Sequence, residues 1–299
     1  MCTAIMIKQK DGHPFVARNF DYDPKSQLKV TKVPRNYPFT FEISTKKHHV
    51  KYAMIGMTLR HEGTFVFVDG VNEVGLCCAI LDLPTTAPWN ESLDLNKTNL
   101  LPTDVSFYFL TQFATVTELR HHIDQLNIMA PPHHPFASTT KIHWMVCDQQ
   151  GNSIVIEQTE TGLQIYDNEI GVLTNSPTFD QHLMNLSLYL KKENELTTPI
   201  PGDYSSPSRF IRAALLKKYI QLEETPSATI HACFQILSSV AMLPGVLKRT
   251  QGENYETRYT ACMSLNPPCY HYKLFNSFEF HSLHLTTEDL ENDPIVINN

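Results

Sequence analysis

Residues 1–22 read MCTAIMIKQKDGHPFVARNFDY, and the rest of the chain is best understood outward from them. Thr3–Ile7 and Phe15–Ala17 are apolar runs separated by the turn pair Asp11-Gly12. That pattern predicts two strands folded back on each other. A hairpin there carries Arg18 toward the start of the chain. At that start stands Cys2, where core packing requires no cysteine. A chain beginning Met-Cys can lose Met1, because the cysteine side chain is small enough for initiator removal. Cys2 would then carry a thiol and a free α-amine whose pKa is about 8, so nucleophile and general base reside in one residue. Such a terminus needs a cation to favour thiolate and a carboxylate to hold the amine. Arg18 and Asp21 are the candidates.

Beyond the hairpin, strand character continues at Lys51–Met57, Thr64–Val68 and Leu76–Leu81, with Asp69-Gly70 as a turn signal. From Asp104 to about Leu126 the spacing of Phe109, Phe113, Val116, Leu119 and Ile123 predicts one long helix. Strands return at Lys141–Cys147, Ser153–Gln158, Leu163–Tyr166 and Gly171–Thr174. Ser206-Pro207 opens a helix to Tyr219 and Thr225-Pro226 another to about Met242, each with proline where a first turn tolerates it. The chain ends in strands at Tyr259–Ser264, Tyr270–Phe275 and Phe278–His284, and Lys191–Asp203 reads as a loop. Strands, helix, strands, helices, strands is the order of an α+β protein, antiparallel sheets packed with helices on their outer faces. No long Pro/Gly/Ser linker and no repeat divides it, so a single domain over residues 1–299 is expected.

At 42% hydrophobic residues the chain can bury a large core, which argues against disorder. A net charge of −7 with scattered Lys and Arg offers no basic face, so a nucleic-acid partner is not expected. The N-terminus lacks a basic region followed by a long apolar run, and nowhere do about 18 apolar residues run together. No membrane association is expected, and the chain reads as cytoplasmic. Seven cysteines, an odd number without an export signal, are expected to be reduced. Histidine pairs at 48–49, 121–122 and 133–134 come without His-Glu-x-x-His or Cys-x-x-Cys, so neither metal nor cofactor is expected. His143 and Cys147 share a strand face, which packing explains.

Six further blocks follow Met1-Cys-Thr in order: Arg18-Asn-Phe-Asp21, Asp69-Gly-Val-Asn-Glu-Val-Gly75, His143-Trp144-Met, Gly171-Val-Leu-Thr-Asn175-Ser-Pro-Thr-Phe179, Pro201-Gly-Asp-Tyr-Ser-Ser-Pro-Ser-Arg209-Phe and Tyr259-Thr-Ala-Cys-Met. With these blocks the whole chain resembles the choloylglycine hydrolase family, which contains conjugated bile acid hydrolases and penicillin V acylases. The resemblance implies a four-layer αββα sandwich of the N-terminal-nucleophile hydrolase fold. It implies amide hydrolysis with Cys2 as nucleophile, Arg18 and Asp21 flanking it, Asn175 lending its amide to the oxyanion hole, and Arg209 completing the polar set.

The second oxyanion position falls on Asp82, where bile salt hydrolases carry Asn and penicillin V acylases Tyr. An ionised carboxylate cannot donate, so by resemblance the Asp82 backbone N–H serves. The resemblance also implies a homo-oligomer, dimer or tetramer, although the excursion between Phe179 and Pro201 that helps build the tetramer in bile salt hydrolases is shorter here. A small-molecule acyl amide with a bulky apolar acyl group is the expected substrate, bound by Phe20, Tyr22, Met57 and Phe65. Conjugated bile acids are favoured, with penicillin V or another N-acyl amide such as an acyl-homoserine lactone as alternatives. A non-catalytic binding relative is the alternative of a different class.

Overall fold

The first strand, Cys2–Lys8, is buried from Cys2 to Ile7. A strand buried on both faces is an interior strand of a covered sheet, which is why its sequence is continuously apolar instead of alternating. It lies between Val172–Leu173 and Pro14–Tyr22 in a 7-stranded antiparallel sheet. That sheet continues through Asn254–Leu265, Pro268–Leu274 and His281–Leu283, with Leu247–Lys248 paired to Asn254–Leu265. The computed structural model describes the whole chain except residues 45, 62–63, 133–140, 191–198, 223, 249–253, 291–293 and 298–299.

An 8-stranded antiparallel sheet runs in the order Gly162–Asp167, Ser153–Thr159, Ile142–Cys147, Cys77–Asp82, Thr64–Asn72, Met54–His61, Gln27–Val33, Ile295–Ile297. The two sheets meet face to face, the first strand against Cys77–Asp82 and Pro268–Leu274 against Thr64–Asn72. Helix α1, Val105–Gln112, packs on the outer face of the 8-stranded sheet, followed in the chain by α2, Val116–His122. On the other side, α4 (Ser206–Tyr219) and α5 (Pro226–Ser238) cover the 7-stranded sheet, and α3 (Phe179–Leu190) packs on α4. Helix, sheet, sheet, helix is the expected four-layer sandwich. Among the described residues, no helix is long and apolar enough to cross a membrane.

Several expectations change. The single helix over 104–126 is two short ones, because Phe113 turns extended (φ −118°, ψ 148°) and Thr115 caps the next helix by accepting from the Glu118 amide. Leu126–Ile128 is a strand paired in parallel with Thr98–Leu100. Asp69-Gly70 is no turn: the strand runs through Thr64–Asn72, and the strand before it spans Met54–His61 instead of 51–57. A Cβ at Gly56 would lie 2.2 Å from the Asp69 carbonyl oxygen, so glycine lets the two strands close there. The strand expected at Phe278–His284 shortens to His281–Leu283, leaving Phe278 exposed, a further strand follows at Ile295–Ile297, and α5 ends at Ser238. Helix α3 is an additional element, with Phe179, His182 and Leu186 buried at helical spacing. The predicted start of α4 holds, with Ser205 as cap and Pro207 in the first turn.

Candidate active site

The hairpin register pairs Cys2 with Phe20 and Ala4 with Arg18. Residues two apart on a strand share a face, so Arg18 and Phe20 point the same way, and the guanidinium sits 4.8 Å over the Phe20 ring. Arg18 Nη2 donates to Cys2 Sγ at 2.9 Å, and Nη1 donates to the Val68 carbonyl at 2.8 Å. Both Arg18 and Cys2 are buried. Removing a guanidinium from water costs several kcal/mol unless it is paired, and the pairing comes from the facing sheet. Asp69 lies 3.5 Å from Nη1 and accepts hydrogen bonds from the Tyr259 and Tyr270 hydroxyls.

Asn175 follows the Val172–Leu173 strand, its amide N–H held by Ser206 Oγ at 2.8 Å. Its side-chain oxygen accepts from the Cys2 N–H at 2.7 Å and from Arg209 Nη2 at 2.8 Å. Its Nδ2 donates to the Asp82 carbonyl at 2.8 Å. Two donors on one end and a carbonyl on the other fix which end is oxygen. Arg209 also reaches the Cys2 carbonyl at 2.6 Å and Thr3 Oγ1 at 2.7 Å, tying α4 to the chain start. Asp21 accepts from Thr257 Oγ1 at 2.7 Å. Its Oδ2 is buried with no hydrogen-bond partner among the described residues. Met1 continues the hairpin ladder, its ammonium donating to the Asp21 carbonyl at 2.9 Å and its carbonyl accepting from the Asp21 amide at 3.0 Å.

Charges follow from burial and these partners. Burial pushes the Cys2 thiol up; the Arg18 guanidinium and the chain's ammonium pull it back, and Asp21 and Asp82 push it further up. Burial also raises the Asp21 carboxyl, opposed by the ammonium and Arg209. The Asp69 carboxyl is likewise raised by burial, against Arg18 and the two tyrosines. Burial would lower Arg18, but Cys2, Tyr259 and Asp69 carry it above its ordinary value. Arg209 is lowered by burial, with Asp21 and Cys2 opposing.

A resting thiol kept neutral by burial needs a base at hand, and a free Cys2 amine would be one.

The family model of linear amide C–N hydrolases, choloylglycine hydrolase family, matches residues 2–298. The chain belongs to the choloylglycine hydrolase family. It is similar to a bile salt hydrolase/transferase of Lactiplantibacillus plantarum, 34% identical over 318 residues covering 99% of this chain and 96% of the relative. A bile salt hydrolase/transferase of Clostridium perfringens is 32% identical over 314 residues, covering 99% and 95%. The crystal structure of the C2A mutant conjugated bile acid hydrolase from Clostridium perfringens matches with a TM-score of 0.88 at 30% identity, covering 100% of this chain and 97% of that one. Like the rest of the choloylglycine hydrolase family, the protein is a hydrolase of linear amide C–N bonds, acting on small-molecule amides.

Cys2, Arg18, Asp21, Asn175, Arg209 and Asp82 come together in this structure from four separate parts of the chain. The expected pocket residues are placed less uniformly. Phe20 and Tyr22 stack at 5.3 Å beside Tyr259, Met57 is wholly buried, and the Phe65 side chain lies outside the described residues. His133 and His134 also lie outside them. Among the described residues, no three His, Cys, Asp or Glu side chains converge as a metal site.

Around the Cys2 site lies a supporting shell that local sequence signals do not reveal. His143 does not merely pack. Its Nδ1 meets Glu157 Oε1 at 2.7 Å and its Nε2 meets the Thr174 carbonyl at 2.8 Å. Glu157 also accepts from the Phe179 amide, and His182 Nε2 meets the Asn175 carbonyl at 2.8 Å. This network holds the 174–175 backbone. The signal for Asp69 was present in the sequence as a lone carboxylate inside the apolar run Phe65-Val-Phe-Val-Asp-Gly-Val. Nothing in the sequence alone pairs Glu157 with His143.

Proposed function

We propose that this amide hydrolase cleaves a bulky apolar acyl group of the conjugated bile acid kind from its amine, using Cys2 as nucleophile after Met1 is removed. The observation that carries the reading is Arg18 Nη2 at 2.9 Å from Cys2 Sγ, with Asn175 anchored on the same residue's N–H. A free Cys2 ammonium would also supply the missing partner of the buried Asp21 Oδ2.

In this scheme the Cys2 amine takes the thiol proton and the thiolate attacks the amide carbon. The carbonyl π pair moves onto oxygen, where the second Asn175 Nδ2 proton and the Asp82 backbone N–H stabilise it. A donor aimed at that oxygen contributes roughly 3 kcal/mol, because the charge is greatest in the transition state. Collapse breaks the C–N bond as the Cys2 ammonium protonates the leaving nitrogen. Water, deprotonated by the same amine, then attacks the thioester and releases the carboxylic acid and the thiol. Asp21 orients the amine, and Arg209 holds Asn175. Phe20, Tyr22, Met57 and Phe65 are proposed to line the acyl side, and a single domain acting as a cytoplasmic homo-oligomer is part of the proposal.

The test is hydrolysis of choloylglycine against penicillin V at equal concentration, with protein whose intact mass lacks Met1. Release of cholic acid with little penicillin V turnover supports the reading. A clear preference for penicillin V reverses the substrate assignment, and inactivity on both overturns it.

A further inference from the structure

The structure gives the Asp82 side chain a definite neighbour. Asp82 Oδ2 lies 3.6 Å from the Met1 ammonium, and both groups are partly exposed, 27% and 34%. The same ammonium donates to the Asp21 carbonyl at 2.9 Å. One point beside Cys2 is therefore built for a cation, with a carboxylate on one side and a backbone oxygen on the other. Met1 is covalently attached to the Cys2 nitrogen, so it fills the space next to that atom. Under the proposed mechanism this nitrogen hands its proton to the departing amine. The departing nitrogen must then come within hydrogen-bond reach of Cys2 N, in the space Met1 fills.

We infer that Asp82 is a specificity-determining residue for the amine half of the substrate, selecting acyl amides of a short diamine, or an amine with a second protonated nitrogen, over amides of anionic amino acids. The inference rests on the hydrolase reading above and narrows it. A protonated nitrogen where the Met1 ammonium stands would repeat both its contacts. A carboxylate or sulfonate there would meet Asp82 as a like charge at short range and lie against the Asp21 carbonyl. Discrimination thus comes from attraction for one class and repulsion of the other.

The experiment uses the full chain with Met1 removed and three cholic acid amides of nearly equal size, those of glycine, ethanolamine and ethylenediamine. They differ chiefly in the charge of the amine half, which is negative, neutral and positive. For the native protein, kcat/KM should rise in that order, with the ethylenediamine amide favoured over choloylglycine by about tenfold or more. Asp82→Asn should collapse that ratio toward one, and added salt should shrink it in the native protein, since the pair is partly exposed. The salt series needs no variant and stands even if Asp82→Asn does not fold. A preference for choloylglycine, or a ratio unmoved by both salt and Asp82→Asn, overturns the inference while leaving amide hydrolysis intact. Cleavage of none of the three overturns the hydrolase reading and this inference with it.

Discussion

The side chain of Asn175 is locked by Arg209, whose Nη2 donates to its oxygen at 2.8 Å and leaves the amide nitrogen no choice of direction. Nδ2 consequently faces the Asp82 carbonyl, at 2.8 Å, and its other proton makes no hydrogen bond among the described residues, which is what the proposed oxyanion role requires. Asn175→Ala should therefore lower kcat by on the order of a hundredfold with KM little changed. Steady-state kinetics on folded variant protein checks this. An unchanged kcat would remove Asn175 from the oxyanion hole.

Cys2→Ala and Cys2→Ser should both abolish turnover while leaving the fold intact, because alanine offers no nucleophile and an alkoxide is far harder to form at neutral pH than a thiolate. Alkylation of native protein should do the same. Circular dichroism and amide hydrolysis measured together decide the matter, and a Cys2→Ala protein that still turned over at a comparable rate would falsify the nucleophile assignment.

Tyr259 and Tyr270 both donate to Asp69, which in turn lies beside Arg18. Tyr259→Phe withdraws one donor from a buried carboxylate and should cost about 1–3 kcal/mol of stability. Because Arg18 is held by that carboxylate, kcat should also fall. Adding Tyr270→Phe should give a loss that is not the sum of the two, as the hydroxyls share one acceptor. Denaturant unfolding of the two single variants and the double variant measures the coupling, and strict additivity would show that the tyrosines act independently.

His182 gives the site an acid limit. Burial pushes its imidazole down to about 4 from an ordinary 6.5; the hydrogen bond to the Asn175 carbonyl opposes this, and His143 adds to it. Between those two values the unfolded chain binds a proton that the folded chain does not. Stability therefore rises with pH across that window and is lost as pH falls through it, by at most about 3 kcal/mol. In His182→Gln the dependence of unfolding free energy on pH between about 4 and 6.5 should flatten. Urea unfolding at a series of pH values checks it; a slope identical to the native one would mean that His182 titrates normally.

The hairpin that brings Arg18 to Cys2 is legible in the residues alone, because apolar runs around an Asp-Gly turn have few other ways to fold. So is the layer order, since strands and helices that each bury one face or more must stack. Short-range signals place the α4 start at Ser206-Pro207, within a residue of the Ser205 cap, but misplace Asp69-Gly70, whose turn chemistry is overridden by the pairing of Met54–His61 with Thr64–Asn72. Periodicity carried the 104–126 helix straight through Phe113, where tertiary packing breaks it. The charge balance of the site, by contrast, comes only with the folded chain. Glu157 reaches His143 from the neighbouring strand, Asp69 reaches Arg18 from the facing sheet, and Arg209 reaches Asn175 and Cys2 from a helix. These pairings span long stretches of chain, and a local pattern carries no record of them. They exist because each buried charge must find a partner, and only the folded chain determines which partner is within reach.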